Sequence, residues 1–88
     1  IEIARLAGDE WIEACIRAVM GASYVLDRQF EEAGPWLAQS ITGFQECGDP
    51  YGEAVARLWQ CLAWRETGDE ARLERDVGAL LRLCQAHG

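Results

Sequence analysis

The sequence predicts an all-α fold, antiparallel helix hairpins stacked as a short solenoid of about two repeats. Three observations carry that prediction. Gly8, Gly48 and Gly88 stand at a fixed interval of 40 residues. Two of them open the same phrase, Gly8-Asp9-Glu10-Trp11-Ile12-Glu13-Ala14 and Gly48-Asp49-Pro50-Tyr51-Gly52-Glu53-Ala54. Between these marks, apolar residues recur at spacings of three and four, the period of one helix face. The residues ahead of each glycine keep the frame as well: Ile1, Ile41 and Leu81, then Ala4, Phe44 and Cys84.

Residues 1–7 read as the end of a preceding helix, closed by Gly8. Asp9 is expected as an N-cap, because its carboxylate accepts bonds from the first free backbone N–H groups. Glu10 and Glu13 suit the positive end of the helix dipole. The first helix is expected over residues 10–27, on Trp11, Ala14, Cys15, Ala18, Ala22 and Val25. Asp27-Arg28-Gln29 turns the chain. The second helix is predicted over 30–47, with Ala33, Leu37, Ile41 and Phe44 on one stripe. Pro35 lies near its first turn, where a missing N–H costs little. Gly48 ends this helix, Asp49 caps the next, and Pro50 takes the first helical position. The third helix runs to residue 67 on Val55, Leu58, Trp59, Leu62 and Ala63. Gly68 stops it and Asp69 caps the fourth, which carries Leu73, Val77, Leu80, Leu81 and Cys84 to Gly88. Such short connections make neighbours antiparallel. Residues 9–48 and 49–88 are then two repeats of one domain, with 1–8 as the tail of an earlier helix. The frame implies a piece of a longer array.

Composition narrows the function classes. The 88 residues suffice for one small domain with a modest core. Half are hydrophobic and four are Trp, which argues against disorder. The net charge of −7 argues against direct contact with nucleic-acid phosphates. No apolar run reaches the ~18 residues of a membrane span. Cys15, Cys47, Cys61 and Cys84 sit in apolar helical patterns without a C-x-x-C, so a reduced, cytoplasmic setting is expected.

Within each unit the pattern resembles the tetratricopeptide repeat. There a small residue precedes an aromatic, then a Gly turn, then an Ala early in the second helix. The first unit has Gly21, Tyr24, Phe30, Ala33, Leu37 and Ser40. The second has Cys61, Trp64, Gly68, Leu73, Val77 and Leu80. Small residues let paired helices approach, and the aromatic fills the gap between hairpins. Arg28 stands where Gly is usual, and Leu73 where Ala is usual. The period of 40 exceeds the standard of about 34. Longer helices with a Gly-Asp junction look like the repeat arrays of MalT/LuxR-type ATP-dependent bacterial transcriptional regulators. The resemblance implies a protein-interaction or effector-sensing segment, with DNA binding and ATP hydrolysis in other domains. A purely structural spacer is the alternative, and a small metal- or thiol-binding domain ranks last.

The resemblance also places a groove along the first helix of each hairpin. Its lining would be Cys15, Ala18, Ala22 and Val25, then Val55, Leu58, Leu62 and Arg65. The family's basic clamp for a peptide carboxylate is missing, so the implied ligand is an apolar helix or small apolar effector. Open faces at both ends imply self-association. Cys84 and His87, three apart, are the nearest thing to a metal pair, with Cys47 and Cys61 as further thiols, but nothing fixes four ligands in one place. No cofactor is expected. The carboxylates Asp27, Glu31, Glu32, Glu66, Asp69 and Glu70 sit at turns and helix starts, where capping and solvation account for them, so no catalytic residue is expected. Trp36 and Trp59 lie at the flanks of their stripes; exposure at a repeat edge is open to one of them, but partial burial at a hairpin junction is the commoner fate.

Overall fold

The structure, a computed structural model, describes the backbone of residues 2–87 and the side chains of residues 9–87. It is all-α, with helices α1 (Glu2–Leu26), α2 (Phe30–Cys47), α3 (Pro50–Thr67) and α4 (Glu70–His87). No strand occurs among the described residues. Each helix packs on the next, and α1 also reaches past α2 to touch α3. Ile1 and Gly88, the outer marks of the 40-residue frame, lie outside the described residues.

The starts of α2, α3 and α4 and the stops of α2 and α3 fall at the predicted marks. Gly48 and Gly68 take left-handed φ of 71° and 76°. At each, two backbone N–H groups close onto the last turn: Gly48 to Gln45 and Asp49 to Phe44, then Gly68 to Arg65 and Asp69 to Trp64. This is the Schellman pattern, which satisfies carbonyls that the helix end leaves free. α1 ends in the same way with an arginine in the glycine's place. Arg28 holds φ 60°, its N–H bonds Val25 and that of Gln29 bonds Tyr24. Asp49 and Asp69 cap as expected, accepting from the N–H of Gly52 at 3.0 Å and of Arg72 at 3.1 Å.

The expected break at Gly8 and the cap at Asp9 do not occur. α1 runs unbroken through both residues. The physical difference lies one residue further on. Asp49 precedes Pro50, whose ring disfavours helical φ/ψ in the residue before it. Asp9 precedes Glu10, which imposes no such restriction. A glycine inside a helix costs only about 1 kcal/mol, so continuing is open to the chain. Pro35 stands where the predicted bounds put it, as the sixth residue of α2, just past the first turn. Its ring removes the N–H that would reach the Glu31 carbonyl; both residues are exposed, and water can take that place.

Small residues set the contact of α1 with α2. A Cβ on Gly21 would stand 2.5 Å from Leu37 Cγ, and one on Gly43 would stand 2.9 Å from Ala14 Cβ. Val25, Ala33, Leu37, Ala63 and Trp64 form the buried core, with Tyr24, Phe30, Trp59 and Leu73 packed against it. Neither Trp36 nor Trp59 is exposed; the exposed tryptophan is Trp11. Its indole N–H donates to Asp49 Oδ2 at 2.8 Å, tying α1 to the start of α3.

Candidate functional site

Two apolar rows remain open to solvent. On α3, Tyr51, Val55, Leu58 and Leu62 recur at intervals of four, three and four, which places them on one face. On α1, Ile12, Ile16, Val19 and Leu26 do the same at intervals of four, three and seven. Val77 and Leu81 continue the exposed apolar surface on α4. Scattered exposed apolar residues are ordinary, but contiguous rows mark interaction surfaces.

The eight groove residues expected from the sequence divide into three environments. Val55, Leu58, Leu62 and Arg65 stand exposed on α3. Cys15, Ala18 and Ala22 are half-buried on α1. Val25 belongs to the core and offers no surface. The open row of α1 runs one residue later than the expected one, through Ile12, Ile16 and Val19. Its signal was present in the sequence. Ile12, Ile16 and Val19 keep helical spacing beside the first stripe, which makes α1 apolar on two faces rather than one.

A second feature fills the space between α2 and α4, which stay apart across α3. The cleft there holds about 600 Å³. Its floor is a closed polar network. Asp76, only 4% exposed, accepts from Trp64 Nε1 at 2.9 Å and Arg57 Nη1 at 2.9 Å. With its amide nitrogen turned inward, Gln60 donates to both Asp76 oxygens at 3.0 and 3.1 Å. Arg57 Nε also reaches Glu53 at 2.9 Å, and Gln45 donates to the same Glu53 oxygen at 3.1 Å. Two carboxylates thus share one guanidinium, and Gln45, Gln60 and Trp64 add neutral N–H donors to them. Above them Arg72 stacks on the Trp64 ring at 4.6 Å and pairs with Asp69 at 3.1 Å. No buried side-chain polar atom among the described residues lacks a partner. Such a network ties α3 to α4 and fixes the orientation of its carboxylates. Asp76 was not singled out from the sequence. Its clue is an acid set among Leu73, Val77 and Leu80 on an apolar stripe.

Burial is the first cause that pushes the thiols of Cys15, Cys47 and Cys61 above their usual value, with nearby carboxylates adding to it. They stay protonated at neutral pH, the unreactive form of a thiol. Asp49 moves the other way. The Gly52 N–H and then the Trp11 indole hold its carboxyl below the usual range. Among the described residues, no three His, Cys, Asp or Glu side chains converge as metal ligands. No helix of the described chain is long and apolar enough to cross a membrane.

Compared with family models, curated proteins and solved structures, the chain shows no match. The functional reading therefore rests on the surface itself.

Proposed function

We propose that this chain is a pair of tetratricopeptide-like hairpins acting as a protein-interaction or effector-sensing segment, without catalysis of its own. The observation that carries this reading is the open apolar row Val55, Leu58 and Leu62 on α3. Its four-three spacing fits the apolar stripe of a docking helix. Support for the stacked-hairpin reading comes from α1, which packs on α2 and again on α3, as units in a stack require. The setting in a larger bacterial transcriptional or signalling regulator, in a reduced cytoplasm, rests on the sequence resemblance. The test is Leu58→Glu or Leu62→Glu in the full protein. Both side chains are exposed, so helicity by circular dichroism should be unchanged. Loss of partner or effector binding, by tenfold or more, is the expected result. Unchanged binding and regulation would return the segment to a spacer.

A further inference from the structure

The 40-residue frame turns the structure into a prediction about its own open faces. Residues 10–47, from α1 through α2, have counterparts at 50–87 in α3 and α4, and the burial of the two can be compared. Ile41 on α2 is 7% exposed, whereas its counterpart Leu81 on α4 is 59% exposed. Phe44 is buried and its counterpart Cys84 is exposed. The difference is α3, which covers α2, whereas no helix among the described residues covers α4 from that side. At the other end the relation reverses. Ala56 on α3 is fully buried, whereas its counterpart Ile16 on α1 is 55% exposed. The molecule therefore shows one junction made, between α1–α2 and α3, and both halves of the same junction unmade.

We propose that a second copy of this chain fills the open face, its α1 packing on α3–α4 of the first copy as α3 packs on α1–α2. This names the partner of the docking surface argued above and rests on that reading. Three contacts of the formed junction can be carried forward by one frame. Gly52 lies directly against the Phe44 ring, with no room for a side chain. The counterparts are Ile12 and Cys84, so the bulk changes sides and the pair still fits. An apolar hollow of about 100 Å³, lined by Tyr51, Ala54, Leu83 and Cys84 among others, stands open at that place. Gln45 donates to Glu53 at 3.1 Å. The counterparts, Gln85 and Glu13, are the same two residue types, and both are exposed. Trp11 donates to Asp49. The counterparts are Tyr51 and Asp9, again an aromatic donor facing an aspartate, and again both exposed. One contact is not retained: the ion pair of Arg28 with Glu66 at 3.6 Å becomes Gly68 beside Leu26.

Such a contact is head-to-tail, with different surfaces on the two partners, and it does not close on itself. That property gives a sharp test on the 88-residue protein. Sedimentation or light scattering should show a mass that rises above 9.8 kDa as concentration increases. Ile16→Glu breaks only the α1 face and Leu58→Glu only the α3 face. Each variant alone should be helical and monomeric. Mixed in equal amounts, they retain one intact junction between them and should form a species of twice the monomer mass and nothing larger. A wild-type chain that stays monomeric at millimolar concentration overturns the proposal. So does a mixture that stays monomeric, or either variant dimerising by itself, which would mean a symmetric contact. If the chain is monomeric while Leu58→Glu still abolishes partner binding by the full protein, the docking reading stands and only self-association falls.

Discussion

At the scale of single residues, three helix ends use one backbone solution with two chemistries. Gly48 and Gly68 reach left-handed φ without a Cβ to strain, and the space around both positions is open. Arg28 adopts the same conformation with a side chain, at a cost of roughly 1 kcal/mol or more. Its guanidinium recovers only part of this: it stands 5.3 Å from the Phe30 ring, and its pair with Glu66 is long and exposed. Arg28→Gly should therefore stabilise the fold by about 0.5 kcal/mol, after allowing for the greater freedom of glycine in the unfolded chain. Gly68→Ala should destabilise it by about 1 kcal/mol. Opposite signs in urea unfolding are the check. Asp49 makes a pH-dependent contribution. Its folded carboxyl titrates below its unfolded value, so its stabilisation is complete above the ordinary aspartate range near ~3.9 and is lost as pH falls through the depressed value. Asp49→Asn still caps a helix. Its acid unfolding curve should be flatter than that of the wild type in that window.

At the scale of elements, α3 is the helix that the others are organised around. It meets α1, α2 and α4. Its hold on α4 depends on Asp76, which gathers Arg57, Gln60 and Trp64 from three turns of α3. Asp76→Ala would strand a largely buried guanidinium and an indole N–H. Breaking a buried pair costs about 3–5 kcal/mol, but Glu53 still holds Arg57, so about 2–3 kcal/mol is expected. Chemical denaturation would measure it, with Trp64 emission reporting the release of α4. The boundaries of α2, α3 and α4 were legible because Gly-Asp and Pro signals act locally. The start of α1 was not. Gly8-Asp9 copies Gly48-Asp49 in letters but lacks the proline that enforces the break.

At the scale of the whole molecule, the sequence frame predicts repetition, and the structure places the apolar faces that remain uncovered among the described residues. Which face of α1 would be open depended on contacts between residues far apart in sequence, such as Trp11 with Asp49 and Gly21 with Leu37. Periodicity identifies an apolar face but does not say what lies against it. That is why Val25 was expected in a groove and stands in the core, while Ile16 and Val19 carry the surface instead. The polar network was hidden for a related reason: its members come from three helices, and none sits in a recognisable spacing. Two tryptophans give the molecule a means of observing itself. Trp11 hands its indole N–H to a carboxylate at one end of α3, and Trp64 does the same near the other. Indole emission responds to the charge and wetness beside that N–H. With Trp36, Trp59 and one of the pair replaced by Phe, the remaining indole would tell which end of α3 loosens first, with no label attached.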